Sequence, residues 1–190
     1  MIFKLLILIP LSFVAASIWA NEGKGGNVIV HEMNLDGCHF RLTDPYGGTL
    51  TQPGDGGPPV ANYEAEINPE ARRRFRTGIQ FECHNNVSTK DLSSLAGIGK
   101  RDGRWIIDFD GDAEAANTRL YSLHGKGWEG AGITQDQAGE DGARRAFTFC
   151  IMHGSQALCG QDDAVMYLDY PEESVLPQLI RLLDSIEFVN

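Results

Sequence analysis

The sequence predicts one α+β domain: an antiparallel sheet with a C-terminal helix packed on one face, held by two disulfides. Three observations carry this reading. Short runs alternating apolar and polar residues, bounded by Gly, Pro and Asn, recur from Val28 to Asp169. Leu176, Leu179, Ile180 and Leu183 recur at the spacing of one buried helical stripe. Four Cys, an even number, all lie beyond an export-type leader.

The elements follow in order. Val28 to His31 reads as a first strand and Cys38 to Leu42 as a second, with Cys38, Phe40 and Leu42 on one face and His39 and Arg41 on the other. Asp44 to Pro59 reads as a loop, because its Gly and Pro interrupt any ladder. Tyr63 to Ile67 is expected to be a short strand. Pro69 to Arg76 is expected to be a helical turn opened by Asn68, with Pro in the tolerated first position. Ile79 to His84 alternates as a strand, and Ser88 or Thr89 is placed to cap a helix from Lys90 to Ala96 that Gly97 and Gly99 would end. Trp105 to Phe109, Thr118 to Leu123, Gly127 to Thr134 and Arg145 to Met152 continue the β pattern. Gln156 to Gly160 and Val165 to Asp169 follow. Ser174 is the expected N-cap of the last helix, with Pro177 in its first turn, and Ile186 to Val189 is an expected edge strand.

Residues 1–20 have the grammar of a secretory signal: Lys4, an apolar run from Leu5 to Val14, then Ala15, Ala16, Ser17 and Ala20. The expectation is cleavage after Ala20, one domain over residues 21–190, a periplasmic or secreted location and no stable membrane anchor. The chain carries 16 Lys and Arg against 26 Asp and Glu, a formal charge of -10. Removing residues 1–20 takes away only Lys4. Such a balance argues against nucleic-acid binding, which needs a basic face to neutralise phosphates.

An oxidising compartment favours disulfides among Cys38, Cys83, Cys150 and Cys159. With Gly154 and Ser155 at the centre of a hairpin turn, Cys150 faces Cys159 in a non-hydrogen-bonded pair, where Cβ atoms come close enough to bridge. Cys38 and Cys83 then pair by elimination. Zinc at Cys38–His39 and Cys83–His84 is disfavoured, since strand neighbours point to opposite faces.

No complete catalytic motif is present. His153-Gly154-Ser155 lacks the nucleophile-elbow spacing, His31-Glu32 has Leu35 where a second His is needed, and Gly97, Gly99 and Lys100 do not form a phosphate loop. Asp108, Asp110, Asp112 and Glu114 offer oxygen at alternate positions, as calcium loops do, but Gly111 falls too early and Arg119 stands where the closing acid belongs. A solvated acidic turn is expected instead, and no cofactor. Arg72, Arg73, Arg74 and Arg76 could grip phosphate or an acidic lipid, but in so acidic a chain they are expected to pair with internal carboxylates or to lie on a wet helical face. Asn86-Val87-Ser88 matches a glycosylation sequon, relevant only in a eukaryotic host. From residue 161 onward seven acids face one Arg, an excess able to steer a basic partner.

Arg145, Phe147, Phe149 and Cys150, then Gly154, Leu158 and Gly160, the Leu-rich helix, and Ser185-Ile186-Glu187-Phe188 together resemble the ending of small bacterial periplasmic proteins of the Mog1/PsbP/DcrB-like kind. The same stretch is similar to the C-terminal parts of periplasmic immunity proteins directed against type VI secretion effectors. The resemblance covers the last third of the chain. It implies a non-enzymatic α+β binding module without cofactor, and on the immunity-protein likeness an inhibitor that blocks a toxin by occlusion. On that reading Tyr46 and Trp128 are aromatic anchors, and Asp162, Asp163, Glu172 and Glu173 are the acidic contacts. The alternatives are a secreted hydrolase using His39 or His84 with Asp108 or Asp110, and an envelope module that binds a small ligand.

Overall fold

The computed structural model describes residues 28–53, 59–139 and 142–189. The expected leader, residues 1–20, lies outside them. β1 (Ile29–Leu35) and β2 (Cys38–Asp44) form a hairpin whose tight turn holds Asp36 and Gly37 at positive φ. β3 (Thr49–Thr51) pairs with β4 (Val60–Ala65), and β4 with β5 (Thr77–Asn85). A short helix, α1 (Leu92–Ala96), leads into the hairpin of β6 (Ile98–Arg101) and β7 (Arg104–Ile107). Then come β8 (Arg119–Gly125), β9 (Trp128–Gln137), β10 (Arg144–His153) and β11 (Gln156–Tyr167), each antiparallel to the next. α2 (Leu176–Asp184) and β12 (Glu187–Phe188) follow.

The main sheet has seven strands in the order β3-β4-β5-β11-β10-β9-β8, and a second sheet has the order β1-β2-β12. Side chains that alternate along the main sheet build two cores, one on each face. On the first face Phe81, Phe147, Phe149, Ile151 and Leu158 pack against Phe40 and Leu42 of β2 and Leu179, Leu182 and Leu183 of α2. Their rings form a chain, with centroids 5.8 Å apart for Phe40–Phe81, 5.9 Å for Phe81–Phe149 and 5.6 Å for Phe147–Phe149. Glycine makes room for it: a Cβ on Gly132 would lie 2.6 Å from the Phe147 ring, and one on Gly160 2.6 Å from Phe149. On the second face Ala131, Ile133, Ala157 and the Cys150–Cys159 pair lie beneath Leu92, Ala96 and Ile98.

Both expected disulfides form. Cys38–Cys83, with Cα atoms 5.8 Å apart, ties the small sheet to the large one within the first core. Cys150–Cys159 joins β10 to β11 on the opposite face, and the register places those two residues opposite each other, as the turn at Gly154 and Ser155 dictates.

Several expectations are corrected. The class is mainly β with few helices, because α1 has five residues and α2 nine, and α2 shares its face of the main sheet with the β1-β2-β12 sheet. Of the expected turn over residues 69–76 only its start forms, the Ala71 amide donating to the Asn68 carbonyl at 3.2 Å, and no helix follows. The Arg72 amide donates to both carboxylate oxygens of Glu173 at 3.1 Å, which anchors this segment to the chain beyond β11. α1 begins at Leu92, not Lys90, since the Asp91 carboxylate turns back to accept from the Ser88 amide and hydroxyl. α2 starts after Ser174, with Val175 at its N-cap and a 3-10 turn over Pro171–Glu173 before it.

The 44–59 segment is not wholly loop. Buried Asp44 organises it by accepting from the Tyr46 and Gly48 amides at 2.7 and 2.6 Å and from the Tyr63 hydroxyl at 2.9 Å, and β3 follows. Desolvation and that bond to Asp44 push the Tyr63 phenol well above its usual range. The expected strand at Tyr63–Ile67 lies earlier, as β4, and the one at Val165–Asp169 is the end of β11, past an irregularity opposite Arg145 and Phe147.

Candidate functional site

The largest cleft lies at one end of the main sheet, on the face that α2 covers. Its volume is about 800 Å³, inside the range of small-molecule sites. Alternation along the strands supplies the floor: Arg119 and Tyr121 of β8 lie on the same side as buried Leu123, and Asp136 of β9 lies opposite Arg145 of β10. Met166, near the end of β11, completes it. The wall comes from the chain that leaves β11 and turns into the helix, through Leu168, Pro171, Ser174, Leu176, Pro177 and Ile180. Ile180 sits at the flank of the α2 stripe, so it is half-buried and faces the opening while Leu179 and Leu183 fill the core.

One ion pair organises the polar side. Arg145 Nε donates to Asp136 Oδ1 at 2.6 Å and its Nη2 to Oδ2 at 3.0 Å, a fork-to-carboxylate match. Asn117 donates to Asp136 Oδ2 at 2.8 Å. The Arg145 guanidinium holds the Asp136 carboxyl below its ordinary value, against the opposing effect of desolvation, and the carboxylate raises Arg145 in turn. Tyr121 is fixed by its edge-to-face contact with Phe147, centroids 6.2 Å apart. Arg119 makes no ion pair with any described carboxylate, and the Tyr121 hydroxyl has no hydrogen bond among the described residues. In an acidic chain this cleft carries two guanidinium groups and one carboxylate. It can hold an amphipathic molecule, apolar part against Met166 and Ile180 and polar part against the β8–β10 end.

The six residues expected to form a contact surface do not come together. Trp128 is 6% exposed and its indole donates to the Ile186 carbonyl at 2.8 Å, so it is a core strut and not an anchor. Asp162 is 2% exposed, accepts from the Ala164 amide at 2.9 Å and faces no solvent. Tyr46 is half-buried, and its hydroxyl donates to the Gln178 carbonyl at 3.2 Å, joining the loop to α2. Glu173 is spent on Arg72. Asp163 and Glu172 remain exposed, Asp163 at a depression of about 190 Å³ lined by the start of β5 and the later part of β11, Glu172 beside Arg72 at 3.4 Å. Burial takes Trp128 and Asp162 out of any surface role.

Other expectations fall into place around this. Arg72 pairs with Glu172 and Glu173 and Arg76 with Glu64, while Arg73 lies 3.9 Å over the Tyr167 ring. Around Asp108, Asp110 and Asp112, the Asp112 Oδ1 accepts from the Glu114 and Ala115 amides, and no group of three His, Cys, Asp or Glu able to hold a metal forms among the described residues. His39 contacts Glu32 at 2.8 Å and His84 lies 3.6 Å from Glu82; neither is paired with Asp108 or Asp110. The cleft residues Arg119, Tyr121, Asp136 and Ile180 escaped sequence reasoning as a group. The available signal was the alternation Arg119, Tyr121, Leu123, which puts an Arg and a Tyr on a core-facing side.

Compared with protein-family models and with curated proteins, the sequence gives no match.

Proposed function

We propose that the chain is an exported binding protein that holds a small amphipathic molecule in the cleft beneath the first turn of α2. The observation that carries this is the cleft itself, about 800 Å³, apolar along α2 and charged along the β8–β10 end. Cys150–Cys159 joins β10 and β11, two of the strands that present it, and Cys38–Cys83 ties the small sheet to the large one, as suits an oxidising compartment outside the cytoplasm. No helix among the described residues is long and apolar enough to cross a membrane. Occlusion of a toxin rests on a smaller basis, since burial removes Trp128 and Asp162 from the surface and Glu173 is tied to Arg72.

The test uses N-phenyl-1-naphthylamine, an uncharged probe that fluoresces on entering an apolar site. The purified protein is expected to bind it saturably, and Ile180→Trp, which fills the cleft from its half-buried flank, is expected to abolish the signal without loss of the folded far-ultraviolet spectrum. Binding that survives Ile180→Trp would sink the reading. So would a basic protein partner retained equally by wild type and Ile180→Trp, which would move the function to the acidic surface.

A further inference from the structure

We infer that the ligand is a monoanionic single-chain amphiphile, a fatty-acid-like carboxylate, whose head lies at Arg119 and Tyr121 and whose chain lies along Met166, Leu168 and Ile180. The inference rests on the cleft reading above and adds the chemistry of the head. Arg145 is closed on both oxygens of Asp136, so its charge is already answered inside the protein. Arg119, at the start of β8, forms no ion pair among the described residues although its charge also helps to lower the Asp136 carboxyl, and Tyr121, two residues on and on the same face, has a hydroxyl without a hydrogen bond. One cation and one neutral donor are thus open to the ligand.

Counting the lining charges, Arg119 and Arg145 against Asp136 leave one excess positive charge. A carboxylate balances it. A dianionic phosphate would bring a second negative charge close to Asp136, which is held ionised by Arg145, and a cationic head would meet Arg119. The apolar side is made mostly of Met166, Leu168, Pro171, Leu176, Pro177 and Ile180, with the Ser174 hydroxyl already bonded to the Val165 carbonyl and the Leu176 amide, so it suits an alkyl chain and offers little to the amides of a peptide.

Calorimetric titration of the purified protein with dodecanoate, dodecyl phosphate, dodecanol and dodecyltrimethylammonium, each below its aggregation threshold, tests the head directly. Dodecanoate is expected to bind about ten-fold more tightly than dodecanol, the size of one charge-assisted hydrogen bond of about 1.5 kcal/mol. Arg119→Ala is expected to erase that preference, and Arg119→Lys to keep most of it. Equal affinity for dodecanoate and dodecanol, a preference for dodecyl phosphate, or a preference that survives Arg119→Ala would overturn the head assignment while leaving the cleft reading standing. Binding of none of the four would overturn both.

Discussion

The indole nitrogen of Trp128 donates a 2.8 Å hydrogen bond to the main-chain carbonyl of Ile186, the residue between α2 and β12. The two are 58 residues apart, and both side chains are buried in the first core. Gly125, opposite Trp128 across the β8–β9 turn, lacks the Cβ that would strike the indole. The end of the helix is therefore fastened to the main sheet by a polar bond within an apolar contact.

Trp128→Phe keeps a ring at this position and deletes the donor. The Ile186 carbonyl is then left buried without that partner, which costs about 1–3 kcal/mol. Urea unfolding should show a lower midpoint with an unchanged slope. An unchanged midpoint would mean that water takes over the bond and that the fastening is dispensable.

The two disulfides should differ in worth. Cys38–Cys83 closes a sequence separation of 45 residues and Cys150–Cys159 one of 9. Chain entropy alone gives about 4 kcal/mol for the first and about 3 kcal/mol for the second. The first also joins two sheets, whereas the second joins strands already hydrogen-bonded to each other. Paired Cys→Ser variants measured by urea unfolding should therefore rank Cys38/Cys83 as the more destabilised. The reverse ranking would show that residual structure in the unfolded chain outweighs loop length.

How much was legible depended on whether local chemistry fixed the answer. Turn residues at Gly154 and Ser155 set the register of β10 against β11, and with it the Cys150–Cys159 pair, because a hairpin leaves the pairing no freedom. The α2 stripe was legible for the same reason: Leu179 and Leu183 repeat within the helix itself. Trp128 was not, since its burial depends on Ile186 far along the chain. Asp162 looked like one more surface acid beside Asp163. Alternation from Leu158 and Gly160 nevertheless puts it on the inward side and Asp163 on the outward one, so the signal was present and was outweighed by the acidic composition around it. For the cleft the local signal stopped at Arg119 and Tyr121 on the core-facing side of β8. The cleft arises where the start of β8, the end of β9 and the wall before α2 meet.

Buried Asp162 makes stability depend on pH in a stated direction. Desolvation raises its carboxyl from 3.8 to about 7, partly opposed by the bond it accepts from the Ala164 amide. Between these values the folded protein holds a proton that the unfolded chain has released, so stability is full on the acid side, falls as pH rises through the window and levels off above about 7. Three pKa units correspond to roughly 4 kcal/mol. Asp184, raised by desolvation at the end of α2, acts in the same direction. Asp136 acts oppositely and in a lower window: its depressed carboxyl contributes stability above its unfolded value, lost as pH falls below about 3.8. The protein should accordingly be most stable near pH 4, where the two windows meet. Asp162→Asn keeps the acceptor for Ala164 and removes the charge. Urea midpoints taken from pH 4 to pH 8 should fall steeply for the wild type and much less for Asp162→Asn, with the variant the more stable of the two at pH 8. Parallel curves for the two proteins would show that Asp162 is not the group that titrates.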